Sequence, residues 1–189
     1  MPGDEVNQVK GVVVVATLRF LEERFGGETL RSLLAELEPG DRAAFDTPLV
    51  SAWYPLPSVL RLMRVAHRRF GAQMPGMFRE MGRASADYGF STVYRVFFKL
   101  GSPQFIISRG SRVFSTYFRR GRLDVVEAGP GFSNAEMREF EDGGPEYCER
   151  ILGWITRTLE LSGAKQGQVA HSRCVHRGDP VCRFEGTWT

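Results

Sequence analysis

A stretch near the end of the chain decides the fold, and it reads His171-Ser172-Arg173-Cys174-Val175-His176-Arg177-Gly178-Asp179-Pro180-Val181-Cys182-Arg183-Phe184. Residues 176–180 are rich in turn formers, whereas residues 168–175 and 181–188 on either side are typical of β-strands. Two antiparallel strands joined by this turn would bring Cys174 and Cys182 close together. The sequence therefore predicts a C-terminal hairpin with two cysteines beside its turn.

A helix is predicted before this hairpin, because Pro145 occupies the favoured first helical position and acidic residues follow it. Cys148 would lie in its first turns. Apolar residues share the face of Cys148 at helical spacing, namely Leu152, Ile155 and Leu159. Since that face has to pack on the sheet, the three thiols are expected to meet where helix and hairpin join.

Cys148, Cys174 and Cys182 together with His171 form the complete ligand set of a structural zinc site. Such a site has no open coordination position, so it stabilises the fold rather than performing catalysis. In a regular strand, however, His171 and Cys174 would point to opposite faces, because they are three residues apart. Either a bulge lies between them or His176 is the nitrogen ligand.

Other interpretations of the cysteines remain open at this point. Glu146 and Glu149 are further candidates for the fourth ligand. Free cysteine is also among the most buried residue types, so three reduced thiols in the core would need no metal. A nucleophilic cysteine is disfavoured, because no hydrolase-type turn or acid partner accompanies it.

The remaining segments predict helices first and strands later. Helices are expected over 14–25, 30–37, 56–70, 77–88 and 103–119, with Trp53-Tyr54-Pro55 as a loop and an aromatic segment at 93–98. A strand at 123–127, a turn at Gly129-Pro130-Gly131 and a strand at 132–140 follow. This order predicts one α+β domain over residues 1–189, with N-terminal helices covering a small twisted antiparallel sheet.

Composition excludes several classes of protein. The chain has 189 residues, 42% of them apolar, and a formal net charge of +3. It contains no apolar run of the ~20 residues that a membrane-spanning helix needs, and no basic segment typical of a secretory signal. No nucleic-acid-binding signature accompanies its arginines. We therefore expect a cytoplasmic protein with reduced thiols, no membrane span and no nucleic-acid partner.

The ending from His171 to Phe184 resembles the C-terminal signature of 4-vinyl reductase domains, which are sensor domains of aromatic-responsive transcriptional activators. The resemblance implies zinc ligands at Cys148, His171, Cys174 and Cys182, with His171 standing where that family has an acidic residue. It implies the sandwich fold that those domains share with haem–nitric oxide sensor domains and TRAPP vesicle-tethering subunits, often as a dimer.

The chain also resembles, over nearly its whole length, an uncharacterised family expanded in myxobacteria. The matching segments are Val9-Lys10-Gly11, Trp53-Tyr54-Pro55-Leu56, residues 94–103 and Leu152-Gly153-Trp154. These resemblances imply a non-catalytic sensory or regulatory domain that binds a small hydrophobic or aromatic ligand. A dimeric scaffold without a ligand is the alternative, and an accessory protein of tetrapyrrole reduction is a third.

In that fold the ligand pocket lies between helices and sheet. Its candidate lining is the aromatic series Tyr94, Phe97, Phe98, Phe105, Phe114, Tyr117 and Phe118, although the same side chains could simply fill the core. No haem is expected, because His67, the one histidine outside the metal cluster, sits among arginines that suggest an exposed helix face, and the propionate-binding tyrosine–serine–arginine motif of the haem sensors is absent. No catalytic constellation is found, so we do not expect an enzyme. A homodimer or a protein partner is expected.

Overall fold

The computed structural model describes residues 6–92, 102–107 and 109–189. Its helices are α1 (Gly11–Phe25), α2 (Gly27–Ala35), α3 (Pro39–Arg42), α4 (Leu56–Phe70), α5 (Met77–Thr92), α6 (Pro103–Ile107), α7 (Gly110–Tyr117) and α8 (Gly144–Leu161). Its strands are β1 (Gln8–Lys10), β2 (Trp53–Pro55), β3 (Arg122–Gly129), β4 (Phe132–Arg138), β5 (Gln168–Arg173) and β6 (Cys182–Thr187). The aromatic segment at 93–98 lies outside the described residues.

The main sheet is antiparallel and has the strand order β3-β4-β6-β5. Two hairpins form it, and they meet where β4 pairs with β6 over residues 132–137. Helices precede and cover this sheet, so the predicted α+β class is confirmed. The last hairpin lies at one edge of the sheet, and α8 connects β4 to it.

A second, two-stranded sheet was not expected. Trp53-Tyr54-Pro55 forms β2, which pairs antiparallel with β1 so that Val9 faces Tyr54; the prediction of a loop here is wrong. Val9 also forms an isolated bridge with Phe118, so the helical segment predicted over 103–119 ends before this residue; it is also divided into α6 and α7. Both corrections depend on pairing between distant segments.

The four consecutive valines at 12–15 belong to α1, although β-branched residues favour strands. Val12, Val13 and Val14 are all buried. Apolar burial on several sides of the helix outweighs the small propensity penalty of a few tenths of a kcal/mol per residue. α1 therefore lies inside the helical layer, against α5, rather than on its outer surface.

Helices α5 and α8 approach each other closely at two glycines. A Cβ atom on Gly82 would lie 2.0 Å from the carbonyl oxygen of Arg150, and a Cβ on Gly153 would lie 2.0 Å from that of Arg79. Only glycine allows such contact between two helix backbones. The crossing fixes how α8 presents its side chains to the helical layer on one side and to the sheet on the other.

One continuous hydrophobic core joins the helical layer to the sheet and includes Phe114, Phe118, Phe140 and Tyr147. Within the part of the chain that the structure describes, no helix is both long enough and apolar enough to cross a bilayer. The core places α8 at the centre of the molecule, so both candidate sites below include residues of this helix.

Candidate metal centre and adjoining cavities

The four predicted metal ligands come together at the junction of α8 and the last hairpin. Cys148 lies in the early turns of α8, His171 in β5, Cys174 just after β5, and Cys182 at the start of β6. One ligand atom from each lies within 4.8 Å of the ligand atoms of the other three. All three thiols are at most 2% exposed.

The sulfur atoms have the spacing of a tetrahedral metal site. Cys148 Sγ lies 3.7 Å from Cys182 Sγ, and Cys174 Sγ lies 3.9 Å from each of the other two sulfurs. Zinc–sulfur bonds of about 2.3 Å at tetrahedral angles place the sulfur atoms about 3.8 Å apart. The three sulfurs therefore form one triangular face of a tetrahedron of the size that zinc requires.

His171 is the candidate for the remaining corner. The pairing of β5 with β6 shifts register between His171 and Arg173, which is the bulge that lets His171 and Cys174 face the same side. His171 has both ring nitrogens buried without a hydrogen-bond partner. The ring stacks on Phe184, with centroids 4.6 Å apart.

The other candidates for the fourth ligand lie elsewhere. His176 is exposed in the turn at 175–177. Glu146 accepts a hydrogen bond of 2.7 Å from Arg64, and Glu149 is paired with Arg79. Among the described residues, the geometry therefore favours His171 over all three.

Backbone hydrogen bonds hold the turn around the sulfurs. The N–H of Val175 donates to Cys182 Sγ at 3.5 Å, and the N–H of Cys174 donates to the Asp179 carboxylate at 2.7 Å. The carbonyl oxygen of Cys174 accepts from the N–H groups of Arg177 and Asp179. Hydrogen bonds of this kind orient metal ligands and favour the thiolate form of the sulfur.

Electrostatics distinguishes the three thiols. The contact between the Cys148 and Cys182 sulfurs, together with burial, raises the pKa of Cys148 well above its usual value. The same contact lowers the pKa of Cys182. Burial raises the pKa of Cys174. Three buried sulfurs so close together can all be thiolates only if a cation neutralises them.

Only some of the aromatic residues predicted to line a pocket do so in the structure. Phe114, Tyr117 and Phe118 line a cavity of about 30 Å³ between α1, α5, α7 and α8. Phe105 does not line it and instead lies under the guanidinium of Arg109, 4.2 Å from its ring centroid. Tyr94, Phe97 and Phe98 lie outside the described residues. Phe114 and Phe118 also pack edge-on against Phe140, so these rings fill the core as well as lining the cavity.

A second cavity lies between α8 and the sheet. It measures about 80 Å³, and Trp154 lines both cavities. Its walls are almost entirely apolar and include Ile155, Leu159 and Phe184. Trp154 is therefore shared by two small neighbouring spaces along α8, and ligand sites usually form in such spaces between packed elements.

Arg150 and Tyr147 were missed by sequence reasoning. Arg150 is 2% exposed and Tyr147 is 1% exposed, and both line the smaller cavity. The signal was present in the helical pattern, because Arg150 occupies a position of the apolar stripe that runs through Tyr147, Ile151 and Trp154. A charged residue on a buried helix face indicates either an ion pair or a functional site.

Comparison with protein-family models and with curated proteins finds no match. Solved structures do match. An H-NOX protein from S. oneidensis in the Fe(II)NO ligation state gives a TM-score of 0.75 at 14% identity, covering 95% of this chain and 99% of that one. The A71G mutant of a K. algicida H-NOX protein gives 0.72 at 12% identity, covering 95% and 96%. An oxygen-binding H-NOX domain related to soluble guanylate cyclases gives 0.70 at 14% identity, covering 95% of each chain.

These similarities establish the fold and confirm the expected likeness to haem–nitric oxide sensor domains. They also contradict the expectation of no haem, which relied on the lack of a suitable histidine ligand and of a propionate-binding motif in the sequence. The matching proteins include Fe(II) and oxygen complexes, and one is described by its heme redox potential and porphyrin distortion. The expectation of no haem is therefore corrected: the fold of this chain is that of proteins whose solved structures contain haem.

Whether the described residues fit haem is a separate question. The two cavities, of about 30 and 80 Å³, are smaller than the ~300–1,000 Å³ of typical cofactor pockets. Their described linings contain two tyrosines but no histidine, and His67 instead stacks on Phe78. In this conformation neither of these two cavities fits a porphyrin, so we derive no step through one.

Proposed function

We propose that this chain is a non-catalytic sensory domain that binds a small ligand and holds one structural zinc ion. The observation that carries the sensory part is the fold, which matches H-NOX proteins over 95% of this chain with a TM-score of 0.75. The resemblance of the last hairpin to 4-vinyl reductase sensor domains supports the same interpretation. The ligand would enter the two cavities that Trp154 lines, one among the helices and the other between the helices and the sheet.

Zinc has a defined role in this proposal. Cys148, Cys174, Cys182 and His171 complete its tetrahedral coordination, so no position remains for substrate or water. The ion would join α8 to the last hairpin and contribute to the free energy of folding. Because α8 also lines both cavities, zinc would keep the ligand-binding side chains in position without contacting the ligand.

The proposal is tested on the chain purified without added metal or ligand. Mass spectrometry of a solvent extract identifies any molecule that co-purifies, an absorption spectrum detects haem, and a titration with haem measures its binding directly. We expect the chain to retain or bind a small molecule in the cavities. A chain that neither co-purifies with a small molecule nor binds haem or small apolar compounds would contradict the sensory function and favour a scaffold.

A pair of variants locates the binding. Ala135→Leu adds bulk to the wall of the larger cavity, whereas Ala128→Leu adds the same atoms at an exposed position of the neighbouring strand. We expect the first substitution to weaken ligand binding and the second to leave it unchanged. Equal binding by both variants would place the ligand elsewhere on the molecule.

A further inference from the structure

Arg150 carries a buried positive charge that no carboxylate neutralises among the described residues. Its guanidinium donates to Thr17 Oγ1 and Ser85 Oγ, each at 2.8 Å, and approaches Met63 Sδ at 3.3 Å. It also lies 3.4 Å from the carbonyl oxygen of Val13. All four partners are neutral, and they belong to α1, α4 and α5.

This charge cannot be removed by deprotonation. Burial lowers the pKa of Arg150, but an arginine stays protonated in proteins because its normal pKa exceeds 12. Buried charges are normally paired, since an isolated one is strongly unfavourable in the interior. The sequence between residues 91 and 108, which the structure describes only in part, contains no aspartate or glutamate, whereas residues 1–5, which also lie outside the described residues, contain Asp4 and Glu5.

The neutral partners of Arg150 do not depend on it. Thr17 donates its hydroxyl proton to the carbonyl oxygen of Val13 at 2.7 Å, and Ser85 donates to that of Met81 at 2.8 Å. Both hydroxyl groups are therefore satisfied within their own helices, and toward Arg150 they act only as acceptors. The hydroxyl groups around Arg150 would thus keep a hydrogen-bond partner without it, so their need for a partner does not explain why a charge is buried here.

Tyr147 provides a second unsatisfied group in the same place. Its hydroxyl group is buried and has no hydrogen-bond partner, and the side chain lines the same cavity of about 30 Å³ as Arg150. The guanidinium carbon of Arg150 lies 5.5 Å from the Tyr147 ring centroid. A single water, which occupies about 30 Å³, would satisfy this hydroxyl group but would leave the charge unbalanced.

The remaining walls of this cavity are apolar and aromatic, and they include Val13, Phe114, Phe118 and Ile151. A cation and a free hydroxyl donor on an apolar wall are complementary to an acid with an apolar body. Trp154 lines both this space and the larger cavity, so displacement of its indole ring would provide room for that body.

We propose that the cavity lined by Arg150 and Tyr147 binds the carboxylate of a small organic acid with an apolar or aromatic body. Arg150 holds the carboxylate as a charge-assisted hydrogen-bond donor, and the Tyr147 hydroxyl donates to the same group. This inference rests on the proposed ligand-binding function and names the chemical class of the ligand.

The test compares acids with their neutral amides: benzoate with benzamide, phenylacetate with phenylacetamide, and octanoate with octanamide. Thermal unfolding of the zinc-containing full chain is measured with each compound. At concentrations near 100 times Kd, a bound acid should raise Tm by about 5 °C or more, whereas its amide should produce little shift.

Three variants assign the effect to the site. Arg150→Met keeps the length and apolar character of the side chain and should weaken binding of the acid at least about 30-fold. Tyr147→Phe removes only the unpaired hydroxyl group, so the fold is retained, and it should weaken binding about 5- to 10-fold. Arg157→Met replaces an arginine of α8 outside both cavities and should leave binding unchanged.

The outcomes separate this inference from the proposed function. If amides or haem bind and the acids do not, or if acids bind equally well to Tyr147→Phe and Arg157→Met, the carboxylate site is wrong while ligand binding stands. If the chain binds neither acids nor amides nor haem and co-purifies with no small molecule, both proposals fail together.

Discussion

His171 and Phe184 face each other across the last hairpin, and their rings lie nearly parallel, with centroids 4.6 Å apart and an interplanar angle of 11°. One ring nitrogen of His171 lies within 4.8 Å of the three cysteine sulfurs. Both nitrogens are buried without a hydrogen-bond partner. An unsatisfied buried imidazole is unfavourable, and coordination of a metal ion removes that penalty for one nitrogen.

Replacing this imidazole should abolish tight zinc binding. We expect His171→Ala to lower zinc affinity by more than about 100-fold, because even outer-shell partners of zinc ligands are worth 10–100-fold. His171→Asp should retain zinc, since a carboxylate is also a zinc ligand. His176→Ala is the control, because His176 is exposed. Competition with a fluorescent zinc chelator measures all three, and equal affinities for His171→Ala and His176→Ala would exclude His171 as a ligand.

Removing the metal should destabilise the fold. At a zinc concentration about 1,000 times Kd, binding contributes about 4 kcal/mol to the free energy of unfolding. For a chain of this length, its loss should lower Tm by about 10 °C. Thermal unfolding with and without a strong chelator checks this, and Cys148→Ser should already show the lower value without chelator. A Tm that chelator does not change would show that the thiols are simply buried.

The crossing of α5 and α8 should tolerate no side chain. Gly153→Ala would bring a Cβ atom against the carbonyl oxygen of Arg79, at 2.0 Å in the present backbone. We expect a loss of about 3 kcal/mol, the upper end for overpacked cores. Gly40→Ala is a matched control, because nothing lies within 4 Å of its added methyl group. Urea unfolding measures both variants, and similar midpoints would mean that the helices are not in close contact.

Asp41 should make the stability of the folded chain depend on pH. Arg61 donates to both of its carboxylate oxygens and Ser58 donates to one at 2.7 Å, which holds the pKa of Asp41 below its usual value of 3.8. The folded chain therefore releases this proton more readily than the unfolded chain. The stabilisation is complete above the usual pKa and is lost as the pH falls through the lower, folded value.

Asp41→Asn should accordingly lower the free energy of unfolding by about 1–2 kcal/mol at neutral pH. The difference from the unmodified chain should shrink once the pH falls below the usual pKa of aspartate. Asp46→Asn, at a nearby exposed position, serves as the control. Urea unfolding at several pH values provides the measurement, and a difference that stays constant with pH would exclude a charged Asp41 as the cause.

The cluster of candidate metal ligands could be predicted from sequence because its geometry is mostly local. Cys174 and Cys182 lie on one hairpin, and Cys148 lies on the helix that directly precedes it. The choice between His171 and His176 needed the structure, because a one-residue bulge decides which side chain faces the sulfurs. Glu146 and Glu149 could not be excluded from sequence either, since the arginines that bind them belong to α4 and α5.

Features that depend on distant segments were not predicted. β1 and β2 are three residues each, too short for a periodic pattern, and they pair across more than forty residues, with Val9 opposite Tyr54. The charge of Arg150 was visible in the sequence, but its neutral surroundings arise only where α1, α4 and α5 meet α8. The order of helices and strands in the sequence was enough to predict the fold class, but it was not enough to predict the cavities.

The coordination of zinc by three sulfurs and one nitrogen is tested most directly by X-ray absorption at the zinc edge, on the chain purified without added metal. We expect one zinc per chain, with three sulfur neighbours at about 2.3 Å and one nitrogen neighbour at about 2.0 Å. A chain without zinc, or a zinc ion surrounded only by oxygen and nitrogen, would contradict a metal centre built from Cys148, His171, Cys174 and Cys182.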